Sequence, residues 1–487
     1  RSAHSAHCSA SELPAGPPVY SYRDESGDGA GFEAQGFDAS AASGASVATA
    51  GQGSASKPSK TISAPTRFVL PNGLAVIVRE NHANPTIAIQ GLVKAGAMFD
   101  PKGKSGLASF VAGMLDQGTK TRTGQEQAAA IESLGASLRF DGGPETASVS
   151  GNLLSSDLDT VLGAMADALR NPIFPADQVE KVRGEMIIDC RVAENSTASV
   201  AARRANELLY PLDHPYHFSS SGSESTVNGI TRDDLVAFHA ANYGPNQMIL
   251  VLVGDVTPAQ ARTLIEKAFG SWKALPNPPA FKIPVSAPPA AVARLVARMP
   301  GKSQADVAWA VPGIARTAPD YDATMLMNYL LGGGSLSSRL MDSLRDQQGL
   351  VYGVYSSMLS GIGAGPIQIR AGTNPENVDR TVSAMLEQVK RFHDSGPTDE
   401  EMDEAKGYLT GVFPVRLETN AGVAGQLLSA EIYGLGLDYI ERYPSLVRAI
   451  TSAGVAAAAR KYLNPDVYVL VIAGSYEDAG KGAPGGK

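Results

Sequence analysis

Apolar residues between Phe68 and Val78 form two short runs on either side of Asn72-Gly73, a pattern that predicts a β-hairpin, and Ile87 to Val93 reads as a further strand. Apolar positions then recur every three or four residues. This predicts helices at Leu158 to Arg170, at Asp177 to Ala193 and at Pro258 to Phe269, the last capped by Thr257 with Pro258 in its first turn. Farther on, Tyr321 to Leu331 and Val378 to His393 read as helices, and Thr398 with Glu401 forms a capping box opening a helix through Tyr408. Hairpins mixed with several helices per segment indicate an α+β fold.

The pattern repeats. Val227, Ile230, Thr231 and Gly254 recur 220 residues later as Val447, Ile450, Thr451 and Gly474, each set ending in an apolar strand, Leu250-Val-Leu-Val and Leu470-Val-Ile-Ala. Two copies are too few for a solenoid, so the chain reads as two homologous α+β sandwich domains, one duplicated from the other. Between them, Leu275 to Pro289 contains six prolines, which favour an extended, semi-rigid connector. The expected boundaries are a first domain over 65–274, a linker over 275–289, a second domain over 290–476 and a flexible tail over 477–487.

Composition changes the picture at one end. Residues 1–64 hold 8 Gly, 14 Ala and 13 Ser but only six Leu, Ile, Val or Phe, too little apolar surface to offset the entropy of folding, and read as a flexible leader. Such a leader fits export, to a periplasm or elsewhere, with a cytoplasmic location as the alternative. Over all 487 residues, 41 basic and 49 acidic side chains give a net charge of −8 without any basic run, which argues against nucleic acid or an anionic membrane as partner. No apolar stretch approaches the ~20 residues of a membrane span. The two cysteines, Cys8 and Cys190, make neither a metal cage nor an expected disulfide, and Cys190, within a helical pattern, reads as buried.

Several local motifs carry weak chemistry. Gly-Lys-Ser occurs at 103–105 and 301–303, but Met98 and Val296 stand where a phosphate loop needs its first glycine. His214 and His217 flank Pro-Tyr and read as turn or surface histidines rather than half a zinc site. The glycines Gly332, Gly333 and Gly334 follow an apolar helix and read equally as a helix end or as a substrate-facing loop.

One segment points to a family. Gly106-Leu-Ala-Ser-Phe-Val-Ala-Gly-Met-Leu-Asp-Gln-Gly-Thr119, with Leu-Pro-Asn-Gly-Leu at 70–74, His-Pro-Tyr at 214–216, Asn-Tyr at 242–243 and the duplication, resembles the insulinase or pitrilysin-like zinc metallopeptidases from about Pro65 to Gly474. The resemblance implies two α+β domains forming half of a clam-shell chamber. It also implies an inverted zinc motif, His-x-x-Glu-His, on the helix within this segment. Here Ser109 and Gly113 replace the histidines, Ala112 replaces the glutamate base, and Asp189 replaces the third ligand. Such a set offers no tetrahedral zinc site and no base, so no metal or other cofactor is expected in this chain.

The resemblance implies a retained function in the second half. Ser337-Ser-Arg-Leu-Met-Asp-Ser-Leu-Arg345-Asp-Gln-Gln-Gly-Leu-Val-Tyr352-Gly-Val-Tyr355 resembles the family's C-terminal signature, in which an arginine and a tyrosine seven positions apart reach the catalytic chamber. Gly349 is expected to end the helix carrying Arg345, and Tyr352 to begin a strand. By resemblance this is a zinc-less metallopeptidase subunit, inactive alone, that supplies Arg345 and Tyr352 to a zinc-bearing partner cleaving extended peptides. The alternative is a catalytically inactive structural or peptide-binding subunit in which Gly332–Gly334 hold substrate. An independent hydrolase using His214, His217 and Asp189 is the least favoured reading.

Overall fold

The computed structural model of the chain describes residues 63–334 and 337–477. Apart from Ser63, Ala64 and Glu477, the expected leader and tail lie outside the described residues, as does Cys8. No helix among the described residues is long and apolar enough to cross a membrane.

Two sheets organise the fold. The first contains β1 (Thr66–Val69), β2 (Ala75–Glu80), β3 (Thr86–Val93), β4 (Ser137–Gly142), β5 (Ala147–Leu154) and β6 (Met248–Gly254) in the order β1-β2-β6-β3-β5-β4. The second contains β7 (Ala293–Arg298), β8 (Ala305–Pro312), β9 (Val351–Met358), β10 (Pro366–Thr373) and β11 (Val469–Gly474) in the order β7-β11-β8-β10-β9. Strand for strand, β2-β6-β3-β5-β4 matches β7-β11-β8-β10-β9. In both of these five-strand series the first pair is parallel and the remaining pairs antiparallel, and β1 adds an antiparallel strand beside β2 in the first sheet. This is the duplicated α+β architecture that the 220-residue repeat predicts.

The repeated residues do the same work twice. Thr231 and Thr451 each cap a helix, accepting from the N–H of Asp234 and of Gly454. Gly254 and Gly474 end the matching strands at φ +142° and +149°, a conformation that side chains rarely adopt. A Cβ at Gly254 would stand 2.1 Å from the Thr86 carbonyl oxygen, and one at Gly474 would stand 2.7 Å from the Ala305 Cα.

Local expectations hold with two adjustments. The hairpin at Asn72-Gly73 forms, with Val69 opposite Ala75, and the Asn72 amide also donates to the Phe269 and Trp272 carbonyls, pinning the end of the helix Pro258–Phe269. The helix opened by the Thr398 capping box runs on past Tyr408 to Arg416, because buried Leu409 and Phe413 continue its apolar face even with Pro414 near its end. The helix from Tyr321 stops at Asn328 and continues to Gly333 as a wider π turn.

Each sheet buries one face under helices of its own half. On the first, Val76, Val78, Ile89 and Leu252 join Phe110, Val161 and Ile265. The opposite faces are covered by exchange. Helix Asn420–Ile432, from the second half, lays Ala424 and Leu427 on Ile77, Leu92, Ile249, Val251 and Val253 of the first sheet. Reciprocally, helix Thr197–Leu209, from the first half, lays Val200, Ala201, Ala205 and Leu209 on Ala308, Ala310, Val469, Val471 and Ala473 of the second. Small residues on the helix and sheet faces permit this close approach.

Candidate functional site

The segment carrying the degenerate motif forms a helix, Leu107–Met114. Its start is held by Asp100, whose carboxylate accepts the N–H groups of Gly106 and Ala108 at 2.8 Å each. Burial outweighs these bonds and pushes the Asp100 carboxyl up to about 7. Ser109 donates to the Ser220 carbonyl at 2.8 Å, Ala112 is fully buried, and Gly113 offers no side chain. Asp189 is exposed on the helix Ala176–Asn195, while its neighbour Cys190 is buried with its thiol 3.9 Å from the Ser221 carbonyl. Burial pushes that thiol up, away from nucleophilic use.

The loop Ser219–Gly222 thus bridges the two helices that a zinc site would need. One hydroxyl already committed to a carbonyl, one glycine and one exposed carboxylate do not fit zinc. Among the described residues no group of three or more His, Cys, Asp or Glu side chains is placed to hold a metal.

The histidine pair is structural. His214 is buried rather than on the surface: its ring stacks on Tyr210 at 4.5 Å, Nδ1 accepts the Tyr216 N–H, and Nε2 donates to the Pro284 carbonyl at 3.0 Å. Burial holds its pKa below the usual histidine value. His217 Nδ1 lies 2.7 Å from the Tyr210 carbonyl oxygen. Both rings serve the backbone, and neither meets Asp189.

The second half presents a different arrangement. Arg345 lies in the π-helical stretch Asp342–Gln347, exposed, with no hydrogen-bond or ion-pair partner among the described residues. Gly349, at φ +59°, returns its N–H to the Arg345 carbonyl at 3.0 Å, and Leu350 donates to Leu344 at 2.8 Å. The turn therefore ends the helix at Gly349 and starts β9 at Val351. A second lock holds it: Thr373 donates to the Leu350 carbonyl at 2.6 Å, and buried Thr381 donates to Thr373.

Tyr352 stands at the start of β9, 61% exposed, its hydroxyl 2.6 Å from Asn374 Oδ1. Among the described residues β9 is the edge strand of the second sheet, with the Asn328 amide donating to its Ser356 carbonyl at 3.4 Å. The glycines border the same strand. Gly332 is buried so close to β9 that a Cβ there would lie 2.6 Å from the Ser356 nitrogen, while Gly333 is exposed and Gly334 partly so.

Sequence reasoning missed a cleft of about 1200 Å³ in the first half, lined by Asp116, Arg122, Glu126, Arg139, Asp177 and Lys181. Its walls come from three separate segments, so no single motif announces it. Burial pushes the Asp116 carboxyl up.

Comparisons with known proteins bear on the family and the fold. A family profile described as Insulinase (Peptidase family M16) matches residues 75–210, and one described as Peptidase M16 inactive domain matches residues 229–409. An uncharacterized zinc protease of Mycobacterium leprae is 26% identical over 432 residues, covering 87% of this chain and 95% of that protein. A non-peptidase homolog, YmxG, of Helicobacter pylori is 27% identical over 369 residues, covering 75% and 83%. The crystal structure of a peptidase M16 inactive domain from Pseudomonas fluorescens superposes with a TM-score of 0.80 at 29% identity, over 86% of this chain and 99% of that one. A protease from Helicobacter pylori superposes with a TM-score of 0.77 over 85% and 100%; at 22% identity this likeness concerns the fold alone.

Proposed function

We propose, from the premise that the chain belongs to the insulinase (M16) peptidase family, that it is a subunit without its own zinc that contributes Arg345 and Tyr352 to peptide hydrolysis by a zinc-bearing partner of the same fold. The observation that carries this reading is complementary loss. The first half has Ser109, Ala112, Gly113 and Asp189 at the metal and base positions, while the second half keeps an exposed arginine, without a partner among the described residues, seven positions before an exposed tyrosine.

The chemistry follows from the two side chains. A guanidinium stays protonated at any physiological pH and presents several N–H donors, and a phenol adds one O–H. Donors fixed before reaction stabilise the oxyanion that develops as water attacks a peptide carbonyl, an effect worth ~3–4 kcal/mol per donor in a water-excluded site. Neither group takes a proton from water, so hydrolysis needs the partner's machinery. In this reading an extended peptide adds to the edge strand β9, on which Tyr352 stands.

The test mixes the purified chain with a purified zinc-bearing homologue from the same source and follows cleavage of a fluorogenic peptide library. Activity above that of the homologue alone, lost in Arg345→Ala and reduced in Tyr352→Phe, is expected. No stimulation by the wild-type chain rejects the reading.

A second reading has its own support, since one relative is named a non-peptidase homolog. In that reading the chain holds peptides along β9 and Gly332–Gly334 without aiding chemistry. Peptide binding and association that persist unchanged in Arg345→Ala and Tyr352→Phe favour it. Export, proposed from the leader's composition, is checked by fractionating the native cells.

A further inference from the structure

The tips of the two edge hairpins meet across the domain boundary. In the first half, β4 and β5 are joined by Gly143-Pro144-Glu145-Thr146, and this tip is anchored from behind: the N–H groups of Gly96, Ala97 and Met98 donate to the carbonyls of Glu145, Gly143 and Pro144. In the second half, β9 and β10 are joined by Leu359-Ser-Gly-Ile-Gly-Ala-Gly365. The Glu145 carboxylate reaches across and accepts the N–H groups of Ile362 at 2.9 Å and Gly363 at 3.1 Å, and the Tyr216 hydroxyl donates to its remaining capacity.

The loop is shaped for that carboxylate. A Cβ at Gly361 would lie 2.3 Å from Glu145 Oε1, and one at Gly363 would lie 2.6 Å from the Tyr216 oxygen. Only glycine at both positions lets the backbone close around the anion, as successive N–H groups do in an anion-binding nest. The loop is tied on its far side too. Arg316 donates to the Gly361 carbonyl, Gly313 to Gly365, and Tyr210 Oη to Ala364 at 3.2 Å. Thus Glu145, Tyr210 and Tyr216 of the first half hold one loop of the second.

We infer that Glu145 is a positioning residue, a latch that joins the two edge hairpins and sets where the second half carries Tyr352 relative to the first. On one side of the latch, β4 abuts the degenerate helix so closely that a Cβ on Gly142 would lie 2.5 Å from the Ser109 Cα. On the other side, β9 runs from the tip back to Tyr352, a distance of ~20 Å at about 3.3 Å per residue. A twist of the hairpin at the latch is carried along that strand, and displacements of about 1 Å at a catalytic group cost on the order of 100-fold in rate. The consequence for catalysis rests on the function proposed above, whereas the latch itself does not.

The experiment therefore has two arms, both with the full chain. Glu145→Gln keeps the shape but turns a donor toward the Ile362 and Gly363 N–H groups; Tyr216→Phe removes one bond and leaves the nest intact. By hydrogen exchange on the isolated chain, the Ile362 and Gly363 amides are expected to exchange at least tenfold faster in E145Q and less than that in Y216F, with the helix Val378–Ser395 unchanged. In the mixture with the zinc-bearing homologue, E145Q is expected to lower kcat about tenfold with KM nearly constant. Unchanged exchange at Ile362 and Gly363, or faster exchange throughout the chain, overturns the latch. Faster local exchange with unchanged kcat overturns positioning. If the wild-type mixture shows no stimulated cleavage, the function proposed above has failed, and the exchange arm alone decides the latch.

Discussion

The hydroxyl of Tyr352 donates to the side-chain oxygen of Asn374 across 2.6 Å, at the end of the edge hairpin opposite its latched tip. An amide is a reversible partner: turned over, it offers N–H to the phenol oxygen and frees the phenol hydrogen for a substrate. A carboxylate has only acceptors and retains that hydrogen. Partner-assisted kcat is therefore expected to fall in the order Asn374, Ala, Asp, with Asn374→Ala losing about tenfold, ~1.4 kcal/mol of barrier, and Asn374→Asp losing more. Steady-state kinetics of the three mixtures checks the order; an aspartate variant as active as wild type contradicts it.

Rebuilding ligands is not expected to rebuild a metal site. Ser109 points at the Ser220 carbonyl 2.8 Å away, so an imidazole in the same rotamer runs into the loop that ties the two helices together. Elemental analysis of Ser109→His/Gly113→His/Asp189→Glu should show zinc well below one per chain. One full equivalent would mean that the loop yields easily.

Asp100 makes stability depend on pH. Its folded pKa of about 7 lies above the ordinary value of about 3.9, so the folded state holds the proton more tightly than the unfolded chain. The contribution is fully present below the unfolded pKa and is lost as pH rises through the folded pKa. Urea midpoints should decline from pH 5 to pH 8, and Asp100→Asn, neutral throughout, should flatten that decline.

The exchanged helices are expected to be costly to disturb. Leu427 is fully buried on the outer face of the first sheet, and Leu427→Ala should cost about 2–5 kcal/mol, read from chemical unfolding. Leu212, 73% exposed in a loop, provides the contrast: Leu212→Ala should change stability by no more than ~0.5 kcal/mol.

The hairpin at Asn72-Gly73, the capped helices and the repeat were legible because each depends on local spacing or on one residue's special geometry. The end of the Arg345 helix at Gly349 was legible for the same reason. The destinations of Thr197–Leu209 and Asn420–Ile432 were not, since periodicity shows that a face is buried but not which sheet buries it. His214 was misplaced toward the surface because its partners, Tyr210 and the Pro284 carbonyl, come together only when the proline connector lies against the first half. Glu145 gave no signal, being one carboxylate in a glycine-rich turn. Its meaning arises from a loop more than 200 residues away.

Helix exchange also has a consequence in time. A chain emerging from the ribosome completes β6 at Gly254, yet the helix that closes the outer face of that sheet ends only at Ile432. At about 5–20 residues per second, the interval is on the order of 10 to 40 s, during which Ile77, Leu92, Ile249, Val251 and Val253 face water or a chaperone. The first half thus waits half-finished for the second, so truncating the gene before residue 432 yields a nascent sheet prone to aggregate rather than an independent domain.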